Sequence, residues 1–183
     1  TGRDRSTVHR LRAALEDRPL ARAHHLAEAG ERLEARDVAL GALEQAGPSD
    51  RVKLLTIAAR CSDAADRVDL LARSVELAIQ CGDEALQPLC AELLDAAEPN
   101  IAPDVLALAA ECLARDGDPD ALVLARRIAP DAPAPVRARG LLAAALVMAW
   151  PQWDLEAVAP MVDAARRLDP TARLIPLCED LES

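Results

Sequence analysis

The sequence predicts an all-helical protein, and its composition is the first reason. Of the 183 residues, 40 are Ala and 29 are Leu, whereas Val, Ile and Thr together number 20. Ala and Leu favour helices, while β-branched residues favour strands. Apolar residues also recur with helical spacing between short breaks at Gly, Pro, Asn and Asp, and no segment alternates as a strand does. These patterns predict about eleven short helices joined by short connections.

The breaks give the order of the helices along the chain. The first helix is predicted to begin at a capping Ser6 and to carry Val8, Leu11 and Leu15 on one face. The predicted ranges are 6–17, 19–29, 33–46, 49–61, 65–81, 84–97, 103–115, 120–129, 135–150, 154–168 and 171–181.

Proline positions test these boundaries. Pro19 and Pro88 fall in the first turn of their helices, where a missing amide is harmless. Pro160 and Pro176 lie deeper, so we expect a kink or a later helix start there. Ser49, together with the aspartate after it, is predicted to cap the fourth helix.

The charge balance limits the classes of partner. The chain has 21 Lys and Arg against 31 Asp and Glu, a net charge of -10. An acidic surface repels phosphate backbones and anionic lipid, so direct binding of nucleic acid or membrane is disfavoured. The longest apolar run, 141–150, is too short to span a bilayer and indicates a buried helix. One basic cluster, which is either a solvated helix face or a docking surface, comprises Arg3, Arg5, Arg10 and Arg12.

The cysteines and the start of the chain indicate the compartment. The five cysteines form no C-x-x-C pair and lie in or beside apolar helical patterns, which predicts small buried hydrophobes rather than disulfides or a zinc site. A reducing cytoplasm is the predicted location. The start TGRDRSTVHR has neither a signal peptide nor an initiating Met, so we expect one helical domain, residues 1–183, of a longer chain.

Two acidic motifs have the spacing of metal sites but are better explained as helix caps. Residues 116–120 alternate acidic residues as a calcium loop does, yet Ala121 and Arg127 stand where the loop needs Gly and Glu. Residues 63–69 carry Asp at every third position, as a magnesium-diphosphate site of a terpene enzyme would. Such an enzyme needs aromatics to hold carbocations, and this chain has almost none. Capping and first-turn charge explain both motifs.

The histidines indicate packing or a surface role. His24 and His25 point about 100° apart on a helix, so they cannot bind one metal together without help, although His9 could approach through hairpin packing. The order of residues suggests no Ser-His-Asp or Cys-His pair, because every Cys has an apolar setting that disfavours the thiolate. The sequence therefore predicts no cofactor, no metal and no enzymatic activity.

Every aromatic residue of the Phe, Tyr and Trp class lies in one short segment. Trp150 and Trp153 flank Pro151 and Gln152. The pair either pins a helix junction or anchors a binding surface, since aromatic residues are enriched at interfaces.

A local motif resembles the tetratricopeptide repeat. Residues 117–122 (GDPDAL), followed by Ala125 and 129–130, resemble the turn and second helix of that repeat, and Ala165 with 169–170 repeats the closing pattern. Leu, Val and Ala occupy the family's aromatic positions. The resemblance implies a right-handed α–α superhelix, or α-solenoid, of about five helical hairpins.

A second resemblance covers residues 6–46. The stretches 8–19 (VHRLRAALEDRP) and 22–30 (RAHHLAEAG) resemble the segment that opens the helical repeats of large ATP-binding LuxR-type regulators and related signal-transducing NTPases. The resemblance implies a sensor or effector-binding segment. The nucleotide site and the DNA-binding helix-turn-helix would then lie outside these 183 residues.

The sequence thus predicts a tetratricopeptide-like regulatory segment that binds an effector or a protein partner on its concave face. The basic cluster near the start would face a missing upstream domain. A stand-alone protein-interaction scaffold remains the alternative.

Overall fold

The computed structural model describes residues 2–149 and 155–182, and this part of the chain contains helices and their connections but no strand. The prediction of an all-α protein is therefore confirmed for the described residues. Its eleven helices are α1 Gly2–Leu15, α2 Pro19–Ala29, α3 Arg32–Gly41, α4 Pro48–Arg60, α5 Ala64–Cys81, α6 Leu86–Ala97, α7 Pro103–Arg115, α8 Asp120–Arg126, α9 Ala134–Ala149, α10 Leu155–Leu168 and α11 Ile175–Glu182.

Glycine and proline set several of the boundaries as predicted. Pro19 stands in the first turn of α2, where its fixed φ suits a helix start. Gly30 and Gly82 end α2 and α5 with φ of 86° and 65°, the left-handed region that glycine enters without steric strain. Asp63 caps α5, because its side chain accepts a hydrogen bond from the Asp66 amide at 3.1 Å.

Two predicted caps are wrong because the serines bond elsewhere. α1 begins at Gly2, and the Ser6 hydroxyl instead donates to the Ala29 carbonyl at 2.8 Å, which ties α1 to the end of α2. α4 begins at Pro48, and the Ser49 hydroxyl donates to the Asp83 carboxylate at 2.8 Å. Each hydroxyl links two elements rather than closing a helix end.

The two deep prolines behave differently. α11 starts at Ile175, so Pro176 falls in its first turn, as the expected later start required. Pro160 lies inside α10.

α6 starts later than predicted, because the Asp83 carboxylate accepts the Ala85 amide at 2.9 Å and holds a turn before Leu86.

The chain divides into two compact units, Thr1–Ala96 and Ala97–Ser183. The expectation of a single domain over residues 1–183 stays a prediction. In unit 1, each of the first four helices packs on the next, from α1 on α2 to α4 on α5, and α2 also packs on α4. Arg36 of α3 bonds Asp66 of α5 at 2.6 Å, so alternate helices are also joined.

Small residues let the helices of unit 1 approach closely. One buried cluster contains Ala13 of α1, Leu26 of α2, Ala35 of α3 and Cys61, the residue that follows α4. Alanine side chains keep helix axes near the short end of the usual packing distance. The near absence of aromatics is thus a feature of this packing.

Unit 2 is built around α9. This helix packs on α7, α8, α10 and α11, and its residues 142–147 are all buried. A helix that is apolar on every side belongs in the interior of a domain. The prediction that the apolar run at 141–150 forms a buried helix is confirmed for residues 142–147.

The apolar helices do not reach membrane-spanning dimensions. Among the described residues, no helix combines the length and the apolar character needed to cross a bilayer. All five cysteines are free, and four are buried as predicted, while Cys81 at the end of α5 is exposed.

Candidate functional site

Unit 1 contains a groove between α2, α4 and α6, with a volume of about 960 Å³. We call it the α2–α4–α6 groove. The segment after α3 closes one side through Gln45. Its apolar wall contains Leu20, Ala21, Ile57 and Leu89. A concave, mostly apolar surface with a few polar groups at its edge is typical of a ligand site.

A buried polar link holds α4 in place beside the groove. Thr56, which lines the groove, donates to the Val52 carbonyl at 2.8 Å and lies 3.1 Å from the Ser74 hydroxyl of α5. Ser74 also donates to the Val52 carbonyl at 3.1 Å. Since buried hydroxyls are costly unless bonded, this set orients the groove face of α4.

An ion-pair cluster joins three helices at the groove's edge. Arg60 of α4 bonds Glu92 of α6 at 2.8 Å, and Arg67 of α5 bonds the same carboxylate at 3.0 Å. The hydrogen bond from Arg60 lowers the pKa of Glu92 below its ordinary value, against the opposing effect of burial. Arg60 is 61% exposed and Glu92 17%, so the arginine faces the solvent of the groove.

The groove's lining is more basic than the chain as a whole. Arg18, Lys53 and Arg60 line it with a single acidic residue, Asp50, although acidic residues outnumber basic ones in the full sequence. The Lys53 ammonium lies 4.0 Å from the Asp50 carboxylate, a distance at which an exposed pair contributes little. The groove therefore presents an apolar wall with a basic edge, which suits an amphipathic anion or an acidic peptide.

The structure separates the basic residues predicted as a docking cluster. Arg10 forms an ion pair with Glu31 at the start of α3. Arg5 and Arg12 are exposed, and neither has a carboxylate partner among the described residues. Arg3 belongs to α1, and its side chain lies outside the description.

The predicted tryptophan site cannot be located in the same way. Trp150 and Trp153 lie outside the described residues. Both alternatives for them, a junction pin and a binding anchor, stay predictions.

His9 of α1 and His25 of α2 meet between these two helices. The Nδ1 atoms of His9 and His25 lie 3.3 Å apart, while the His24 and His25 ring centroids are separated by 5.7 Å. His24 turns toward the α2–α4–α6 groove and lines it. In residues 2–149 and 155–182, no group of three or more His, Cys, Asp or Glu side chains is arranged to hold a metal ion.

The acidic motifs act at helix starts, as predicted. Asp118 accepts the Asp120 amide at 2.9 Å in the turn between α7 and α8, where Gly117 has a φ of 72°. Asp66 is engaged by Arg36, so the aspartates of residues 63–69 take part in capping and pairing.

Unit 2 contains a buried charge cluster that the sequence analysis missed. Glu111 of α7 is 0% exposed and accepts hydrogen bonds from Arg139 at 2.6 Å, Arg173 at 2.9 Å and Arg115 at 3.1 Å. Burial alone would raise the pKa of Glu111, but bonding to Arg173 and the charge of Arg139 outweigh it and lower the pKa. The cluster joins α7, α9 and the segment before α11, which is a structural role.

Comparison of the chain with protein-family models, curated proteins and solved structures finds no match. The resemblances to tetratricopeptide repeats and to LuxR-type regulators therefore rest on the sequence motifs alone.

Proposed function

We infer that this chain is a tetratricopeptide-like regulatory segment that binds an effector or a protein partner in the α2–α4–α6 groove. The segment would belong to a signal-transducing NTPase that regulates transcription. In that role it binds and transmits, while nucleotide hydrolysis and DNA recognition belong to neighbouring domains. No catalytic residue or cofactor is assigned to it.

Contacts between alternate helices of unit 1 support a superhelical arrangement. Arg36 and Asp66 join α3 to α5 across 30 residues, and Arg60 and Glu92 join α4 to α6 across 32. Helical repeats of about 34 residues place equivalent helices at this separation. In such a stack, alternate helices line one surface, and α2, α4 and α6 are the helices that line the groove.

The groove itself is the observation that carries the proposal. Its volume of about 960 Å³ is large enough for a drug-sized molecule or a short peptide. A ligand that touches all three helices would favour the spacing between them at which its contacts are best. Binding would thereby shift the curvature of unit 1 and bias an attached NTPase between resting and active states.

A bulky side chain placed in the groove tests this mechanism without knowledge of the ligand. Ala21→Trp should occupy part of the groove and change the basal nucleotide hydrolysis of the full-length protein by about twofold or more, because it favours the ligand-bound curvature. Asp37→Trp, at an exposed position of α3, is the matched control and should leave nucleotide hydrolysis unchanged. Equal rates in both variants would contradict the groove mechanism.

The alternative is a stand-alone interaction scaffold that uses the same groove. The full-length sequence distinguishes the two functions, since a regulator needs a phosphate-binding loop upstream and a helix-turn-helix nearby. If the full chain contains only helical repeats, the scaffold function replaces the regulator function.

A further inference from the structure

The outer face of α1 is apolar and uncovered. Val8, Leu11 and Leu15 are 46%, 61% and 85% exposed, and together they are half of the six large hydrophobic residues found exposed among the described residues. Their spacing of three and then four residues places them on one stripe of the helix. This stripe was expected to form a helix face, and the structure leaves it in solvent.

The core contact of α1 is made by the opposite side of the helix. Ala13 is 2% exposed and packs into the cluster that includes Leu26 and Ala35. α1 therefore has two apolar faces, of which α2 covers one. In α5, by contrast, Leu70 and Leu71 point in different directions and both are buried. The stripe on α1 is thus a surface that the fold of unit 1 does not use.

Two arginines flank this stripe. Arg5 precedes Val8 by three residues and Arg12 follows it by four, so both are surface neighbours of the stripe. Neither has a carboxylate partner among the described residues, in contrast to Arg10, which is paired with Glu31 on another side of the helix. An apolar stripe with unpaired guanidinium groups beside it is complementary to an apolar stripe with carboxylates beside it.

The charges also decide against two other occupants. An antiparallel two-fold pairing of α1 with α1 of a second copy, centred on Leu11, would bring Arg12 of one copy beside Arg12 of the other, and like charges repel. An anionic membrane would attract the two arginines but would meet a chain of net charge -10, which repels it. An acidic helix of a protein partner satisfies both the stripe and the arginines.

We propose that the outer face of α1, formed by Val8, Leu11, Leu15, Arg5 and Arg12, docks an amphipathic helix whose apolar stripe is flanked by Asp or Glu. This helix belongs to a separate protein partner. The surface is separate from the α2–α4–α6 groove, since no α1 residue lines the groove. The proposal extends partner binding to a second surface and can fail or hold independently of the groove.

A designed helix serves as the probe. The 183-residue chain should bind a fluorescein-labelled peptide of about three heptads with Leu on one face and Glu flanking it, measured by fluorescence anisotropy. The same peptide with Lys in place of Glu should bind at least about tenfold more weakly. Added salt should narrow this difference, because the flanking pairs are exposed.

A charge reversal gives the sharper test. Arg5→Glu combined with Arg12→Glu should exchange the preference, so that the Lys peptide now binds more tightly than the Glu peptide. Leu11→Ser should weaken both peptides by about tenfold or more, because it removes buried apolar area. The matched control, Val123→Ser in α8 with Arg127→Glu just after α8, replaces an exposed valine and an exposed arginine and should change neither affinity.

Four results would overturn the proposal. These are equal binding of the Glu and Lys peptides, unchanged binding in the reversed variant, tighter binding to vesicles of phosphatidylglycerol than to the Glu peptide, and self-association that Leu11→Ser abolishes. The third result would identify a membrane contact and the fourth a homodimer. All of the replaced side chains are exposed, and circular dichroism of each variant confirms that the helices persist.

Discussion

Glu92 in unit 1 and Glu111 in unit 2 are carboxylates held by arginines from neighbouring elements, but they differ in their access to water. Glu92 is 17% exposed, and its partners Arg60 and Arg67 are 61% and 41% exposed. Glu111 is 0% exposed, and its three arginines are between 25% and 34% exposed. Arginine–glutamate ion pairs therefore occur both near the protein surface and in the interior.

This difference in depth separates two uses of the arginine–glutamate pair. Away from water, each charged hydrogen bond is stronger and an unpaired charge is more costly, so the Glu111 cluster is committed to holding unit 2 together. Near water, the pair is weak and a guanidinium can exchange one anion for another. Arg60 thus both supports the α2–α4–α6 groove and remains exposed to the solvent within it.

The largest predicted effect is that of Glu111→Gln. Removal of the charge leaves three guanidinium groups without their shared carboxylate, and we expect the free energy of unfolding of unit 2 to fall by about 3–5 kcal/mol. Urea denaturation, together with hydrogen exchange of the α7 and α9 amides, measures this loss. Glu156→Gln on the exposed side of α10 is the control. A loss below about 1 kcal/mol, the range of exposed pairs, would refute the contrast in depth.

A smaller effect is predicted for Glu92→Gln. The partners of Glu92 are largely exposed, so we expect a loss of about 1 kcal/mol in unit 1, read from the exchange of α4 and α5 amides. Asp95→Asn, an exposed change on the same helix, should have no effect. If Glu92→Gln costs as much as Glu111→Gln, then burial does not decide the strength of these clusters.

The fold class could be predicted because composition and spacing act locally. Ala and Leu at helical spacing, Pro19 in a first turn and Gly30 and Gly82 after helix ends all depend on a few neighbouring residues. Ser6 and Ser49 were misjudged for the opposite reason. Their hydroxyls bond to residues 23 and 34 positions away, and no local pattern reveals such partners.

The candidate sites were harder to predict because they are assembled from several helices. The groove joins Leu20, Ile57 and Leu89, whose apolar character alone only indicates a core. Glu111 did leave a signal, since it is the single charge within residues 105–114, and a charge in an apolar run needs a buried partner. The identity of that partner, for example Arg173 at a separation of 62 residues, depends on tertiary structure.

A mild fall in pH should weaken unit 1 before unit 2. Burial lowers the pKa of His25 below its ordinary value of 6.5, and the charges of His24, His9 and Arg12 lower it further, while Glu16 opposes them. The folded chain thus binds this proton more weakly than the unfolded chain does. The contribution of His25 is fully present above pH 6.5 and is lost as the pH falls through its lowered folded value.

Glu111 responds in a lower window, because its pKa is held below its ordinary value of 4.5. Its contribution is present above that value and is lost only as the pH falls through the lowered pKa. Between neutral pH and pH 5, roughly one unit above the ordinary carboxyl range, the protection of amides against exchange, taken relative to the intrinsic exchange rate at each pH, should therefore fall in α1 and α2 but not in α7 and α9. His25→Gln should remove this loss of protection, whereas His24→Gln on the groove side should retain most of it. If amides of α7 and α9 lose protection in the same window, Glu111 is not more resistant to the fall in pH than His25, because a group that stays ionised cannot transmit the pH change.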